Sequence, residues 1–398
     1  MSKGLIRYLF IFLGAAAQAQ IQGVVIDSVT REPVPFVHVY AESSESGTVT
    51  NLDGAFLLNG KELPVEITFS HISYNNKKVT VTLSGKEWCL SLSPRTTLLN
   101  EVIVSDAGHQ LAKEIYSDLA KNQPVHFGKA FYRQITFTDT VPSEFIETFH
   151  AVASDPSGIS KISLEQSRFA RAKSDQARKI FIFNNFSFLT TGFRIFSPRA
   201  AQIAKPFCAD YVDLYTYGLE GYFEKNGTRY ATVTYEPSAE VRGPSLKGSF
   251  VVNLKTRKLV AFQATTTSGL GSDSSEVRQD GVMVKKRVSR NHVFTWNLNF
   301  SDTAEPVLEY VSVTGTLDFL DGESVRQARM VSTMVVYERD LRKKKGLKSP
   351  DIKQNDLAAA RSVKYHARFW KDNPVIKRNA AEEKAIAYFE KTNSFTNY

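Results

Sequence analysis

Short alternating runs dominate the first hundred residues. Segments 24–26, 36–41, 55–58, 65–70 and 79–83 are apolar or alternate apolar with polar, the pattern of half-buried strands. Turn residues separate them. Residues 27–35 are rich in Asp, Ser and Pro, 42–47 turn again, and Asn51-Leu52-Asp53-Gly54 reads as a tight turn. There Gly54 suits a positive φ, while Asn51 and Asp53 suit bonds to their own backbone. Strands at this spacing predict a β-sandwich of roughly seven strands.

The period then changes. Leu111, Ile115 and Leu119, with Ala112, Tyr116 and Ala120, repeat at i, i+4. This predicts one amphipathic helix within 106–123, closed by Pro124. From Lys129 the period of two returns. Segments 130–138 and 144–153 predict a hairpin, and 211–225 and 228–236 meet at Asn226-Gly227, a type I′ signal. Segments 249–254 and 258–266 turn at 255–257, and 282–288, 293–300, 308–319 and 325–338 continue the series, with a turn at Asp321-Gly322. No helix alternates with these strands, so an antiparallel meander is expected rather than a parallel sheet. Two segments break it. Residues 166–206 hold Phe181, Phe183, Phe186, Phe188, Phe193 and Phe196 among basic residues. The tail from Arg339 carries Arg342, Lys343, Lys344 and Lys345, then helical patterns at 357–370 and 380–391 separated by Asn373-Pro374.

The predicted fold is mainly β: an N-terminal seven-stranded sandwich, then a curved, half-barrel-like antiparallel sheet with a few covering helices. The expected plan is a signal peptide at 1–19, the sandwich at 20–105, a linker helix at 106–126, the sheet domain at 127–338 with its Phe-rich insert at 166–206, and a basic loop with C-terminal helices at 339–398. The signal peptide rests on Lys3 and Arg7, the apolar run 8–13 and the A-x-A site Ala17-Gln18-Ala19. That run is far shorter than the ~20 residues of a spanning helix. No cysteine follows the cleavage point, so no lipid anchor is expected there.

Charge adds a partner class. Fifty Lys and Arg against 41 Asp and Glu give a net charge of +9. In an exported protein this suits an anionic neighbour such as lipid headgroups or polyanionic glycan, and argues against nucleic acid; ordinary solubility charge is the plain alternative. The basic run at Arg342 to Lys345 reads first as a solvated loop, and as membrane-surface contact in its sharper reading. Cys89 and Cys208 fall in different predicted domains and are expected to be buried free thiols.

Catalytic constellations are missing. There is no H-E-x-x-H, no G-x-S-x-G and no phosphate loop, and none of His38, His71, His109, His126, His150, His292 and His366 pairs with another at ligand spacing. Each histidine reads as structural. Asn51 to Gly54 lacks the acidic ligands of a calcium loop. No enzyme, catalytic residue, metal or cofactor is predicted.

Four pieces in order, "IQGVVIDSVTREPVPFVHV", "GTVTNLDGAFLL", "ITFSHISY" and "LNEVIV", resemble the carboxypeptidase-like regulatory domain, a transthyretin-like β-sandwich. The resemblance covers residues 21–104 and implies a folding or interaction module in the Gram-negative envelope, not peptidase activity. The remainder looks like the larger partner region of similar exported proteins. More loosely, segment 218–262 is similar to the curved-sheet lipoprotein carriers of the periplasm. The expected function is therefore an exported, non-enzymatic envelope protein, periplasmic or associated with the outer membrane, that binds or carries an apolar or amphipathic ligand. In that reading the six phenylalanines form its cover. The alternative is an assembly protein docking an envelope partner through the sandwich; an envelope hydrolase is third. Lipid or an envelope protein is the expected partner.

Overall fold

The computed structural model describes residues 19–41, 46–60, 63–71, 73–82, 85–94, 97–104, 106–121, 123–172, 181, 183–199, 202–267, 273–279, 282–321, 324–339, 345–366, 369–370 and 376–395. The expected leader, apart from Ala19, lies outside these residues, as do Arg342, Lys343, Lys344, Gly322, Asn373 and Pro374.

The protein is mainly β, as its alternation requires. The sandwich packs a three-stranded sheet, β4 (Ala55–Gly60), β1 (Ala19–Asp27) and β7 (Glu87–Leu92), on a four-stranded one, β6 (Tyr74–Val81), β5 (Val65–His71), β2 (His38–Ala41) and β3 (Ser46–Val49). Ile21, Val25, Val37, Val39, Phe56, Ile67 and Leu92 fill the space between them. The 51–54 turn forms as its residue types dictate. Asn51 Oδ1 accepts from the Asp53 and Ala55 amides, and Gly54 has φ +69°. A Cβ on Gly54 would meet the Val25 carbonyl oxygen at 2.4 Å.

The strand β8 (Thr97–Val104) closes the sandwich motif in sequence but joins the second sheet, pairing with β14 (Tyr215–Lys225). That sheet continues through β15 (Thr228–Pro237), β16 (Leu246–Asn253), β17 (Lys258–Thr266), β19 (Val282–Phe300), β20 (Leu308–Asp321), β21 (Ser324–Arg339), β9 (His126–Thr138), β10 (Val141–Asp155) and β11 (Gly158–Arg171), antiparallel throughout. A ribbon strand, β18 (Asp273–Gln279), pairs with the first half of β19. Two short strands, β12 (Phe196–Ser197) and β13 (Phe207–Cys208), pair in parallel beside the sheet.

Strands from both ends of this sheet share one core. Tyr132, Ile146 and Phe169 from β9–β11 cluster with Tyr217, Tyr235, Phe250, Phe262 and Trp296 from the opposite half, so the sheet curves around its apolar face. The helix α1 (Asp106–Leu119) presents Leu111, Ala112, Ile115 and Leu119 to the same core, which makes it a wall of the sheet domain. Further helices are α2 (Ser187–Thr191), α3 (Asp356–Arg361) and α4 (Ala380–Lys391).

Several elements differ from their predicted bounds. Residues 166–171, read as part of the Phe-rich insert, complete β11; their mostly polar run gives weak alternation. Within the helical pattern predicted at 357–370, α3 ends at Arg361, where the Ala360 carbonyl accepts the Ser167 hydroxyl of β11 at 2.5 Å, and Phe369 and Trp370 are helical again. The segments 282–288 and 293–300 form one strand, β19, kinked where Asn291 takes φ +56°. Both cysteines are free; Cys208 is buried but Cys89 is exposed, since it lies on the outer side of β7.

Candidate functional site

Alternation along β9–β11 sends neighbouring side chains to opposite faces. Tyr132, Ile146, Thr148, His150, Ile162 and Leu164 line the inner face. Opposite them lie Ser187, Phe188 and Thr191 of α2, the segment 346–354, and Asp356, Ala359 and Ala360 of α3. Together they enclose a cavity of about 550 Å³, within the range of small-molecule sites. Ile146, Ile162, Leu164 and Phe188 give it an apolar side; hydroxyls, His150 and Asp356 give it a polar one.

Each wall is fixed locally. The Asn355 side chain caps α3 by accepting from the Ala358 amide at 2.9 Å. Asp356 then reaches α2. Its Oδ2 accepts from the Ser187 amide at 3.0 Å and its Oδ1 from the Ser187 hydroxyl at 2.5 Å. The Asp356 amide donates to the Asn184 carbonyl at 2.7 Å. Lys348 bridges to Ile162 of β11 through backbone bonds of 2.7 and 3.0 Å, which seats the 346–354 segment on the free edge of the sheet. The opening is thus built by two short helices and a loop pinned to a rigid ribbon.

Burial sets the electrostatics of the cavity. It pushes the Asp356 carboxyl up to about 7, against the two Ser187 hydrogen bonds that lower it. Burial also pulls the His150 imidazole down to about 3, so the ring is neutral. His150 Nε2 shares a 2.7 Å hydrogen bond with the Thr148 hydroxyl, while its buried Nδ1 has only a weak contact with the Ser163 backbone. Deeper, Tyr132 donates to Gln134, which donates to Glu144, whose other oxygen accepts from Arg171 Nε at 2.7 Å. The cavity therefore offers a neutral imidazole, several hydroxyls and an apolar wall. Among the described residues no three His, Cys, Asp or Glu side chains converge as a metal site requires.

The six phenylalanines separate. Phe181, Phe186 and Phe193 are 6%, 0% and 8% exposed and belong to the core. Phe193 stacks on Trp296 at 4.8 Å and Phe181 packs on Phe319. Phe183 and Phe196 are partly buried against the same core, Phe196 beside Tyr116 of α1. Phe188 alone of the six lines the cavity. The insert thus fills the apolar face of the curved sheet. Of the basic run, Lys345 is described, in an exposed turn next to Gly346 at the cavity wall.

His150, Ser187 and Asp356 carried no signal in sequence. They are 37 and 169 residues apart in turn, on three elements, and only the fold brings them to one cavity. A larger open groove along α1, lined by Lys113, Asp118, Arg257 and Lys258, is a seam of ion pairs. Lys113 meets Asp213 at 2.9 Å and Lys258 meets Asp118 at 2.7 Å.

No curated protein matches the chain. A solved structure from Bacteroides fragilis, described as a membrane-associated protein of unknown function, aligns over 81% of this chain and 98% of its own at 9% identity, with a TM-score of 0.15. A score that low carries no argument about shared fold or function. Residues 21–104 match the family model of the CarboxypepD_reg-like domain. That span holds all seven sandwich strands but the first residues of β1, together with β8. The N-terminal unit of this chain is a CarboxypepD_reg-like domain.

Proposed function

We propose that the protein is a non-catalytic binding protein of the Gram-negative cell envelope, and that it holds a small amphipathic molecule in the cavity between β9–β11, α2 and α3. One observation carries this reading: a cavity of about 550 Å³ sets Ile146, Ile162, Leu164 and Phe188 against hydroxyls and a buried, neutral imidazole. The curved sheet's apolar face is occupied by the protein's own phenylalanines, so the ligand belongs in this side cavity. Asp356 is committed to the N-terminus of α2, and His150 to Thr148. Neither contacts the other's partner, which favours binding over catalysis.

A crystal structure of protein isolated from an envelope fraction tests this. Continuous non-protein density between Phe188 and His150 is expected. A cavity holding only ordered water would overturn the reading.

The alternative, an assembly role in which the sandwich docks an envelope partner, would need another face of it, because one face already packs on a surface. His38 Nδ1 meets Glu309 at 3.1 Å and Phe36 stacks on Tyr310 at 5.8 Å. Here that surface is the chain's own sheet.

A further inference from the structure

The outer face of β9–β11 buries a cation-rich cluster under the segment that leads into α4. Glu147 lies opposite Arg133 on β9 and Arg168 on β11. Arg133 Nε donates to Oε1 at 2.7 Å and Arg168 Nε to Oε2 at 2.6 Å. Arg133 also donates to Glu382 at 3.1 Å and to the Ile376 carbonyl at 2.8 Å. Both oxygens of Glu147 are therefore occupied before a third guanidinium arrives. Arg378 stops 3.8 Å from Glu147 Oε2, beyond hydrogen-bond reach, and among the described residues it donates no hydrogen bond. Its side chain is only 26% exposed.

Beside it, Trp370 is 8% exposed and its buried indole Nε1 has no acceptor. Arg168 lies over that ring at 4.6 Å. Arg133, Arg168, Arg378, Trp370 and the doubly bonded Glu147 line one cavity of about 290 Å³, with Lys377, paired with Glu87 at 3.3 Å, on its wall and Glu383, which is exposed, at its rim. The cavity presents donors in excess of acceptors. A fork of guanidinium N–H groups matches an oxyanion in a bidentate manner.

The geometry points to an oxyanion site, in which Arg378 holds a carboxylate or phosphate group and Trp370 Nε1 donates a further hydrogen bond. The site lies on the opposite face of the ribbon from the amphipathic cavity and does not depend on it.

Calorimetric titration of the full chain with inorganic phosphate, and separately with succinate, tests this at an ionic strength fixed with sodium chloride. Saturable binding of at least one of the two is expected, and the tighter one names the group. Arg378→Gln should weaken it about tenfold or more, and Trp370→Phe several-fold, from the lost charged and neutral hydrogen bonds. Circular dichroism of both variants should match wild type. If Arg378→Gln fails to fold, Trp370→Phe carries the comparison. Wild-type heats no greater than those of chloride would overturn the site, as would unchanged affinity in the folded variants.

Discussion

Two buried carboxyls show how environment decides the behaviour of one residue type. Burial alone would raise Glu147, yet Arg133, Arg168 and Arg378 hold it down at about 2. Its folded value lies below the ordinary 4.5, so its stabilisation is present above pH 4.5 and is lost as pH falls toward 2. Glu147→Gln would leave the guanidiniums without their shared anion, and should cost about 3–5 kcal/mol in chemical denaturation at pH 7. Asp356 runs the other way. Its folded value, about 7 against an ordinary 3.8, makes its contribution complete below pH 3.8 and erodes it as pH rises toward 7. Asp356→Asn should therefore gain on wild type across that window, by up to about 1.4 kcal/mol per pH unit. A stability difference that stays flat from pH 4 to pH 8 would contradict this assignment.

Elements governed by local chemistry were legible in the chain; those decided by distant partners were not. The Asn226-Gly227 turn forms with φ +51° and +73°, and α4 spans 380–391 as its pattern predicts. There Asn379 and Glu382 form a reciprocal capping box. The 51–54 turn proved to have a second task. Asp53 Oδ2 accepts from the Ala380 amide at 3.1 Å, and Asn51 Nδ2 donates to the Lys377 carbonyl at 3.2 Å, so the turn grips the start of α4. No local pattern announces a contact across more than 300 residues. Asp53→Ala should speed hydrogen exchange at residues 379–383, with a loss of about 1 kcal/mol or less, and leave β9–β11 unchanged. The cavity was illegible for the same reason: its walls come from three strands and two helices whose side chains carry no shared spacing.

At the scale of the molecule, the sandwich and the curved sheet are tied into one body. Val49 and Phe36 of the sandwich share an apolar cluster with Phe131, Tyr310 and Val335 of the sheet and Trp370 and Ile376 of the tail. Glu309, buried between them, accepts from Asn299 at 2.7 Å while it pairs with His38. Such an interface should make unfolding cooperative. Scanning calorimetry is expected to give a single transition, and two resolved transitions would show that the sandwich is only tethered. The cavity of about 550 Å³ on the inner face of β9–β11 is where function is proposed. Native mass spectrometry of protein purified from an envelope fraction tests that most directly, comparing wild type with Ile162→Trp, which fills the cavity. A bound small molecule is expected on wild type and absent from the folded variant. A wild type that carries nothing, or a variant that carries the same mass, would contradict it.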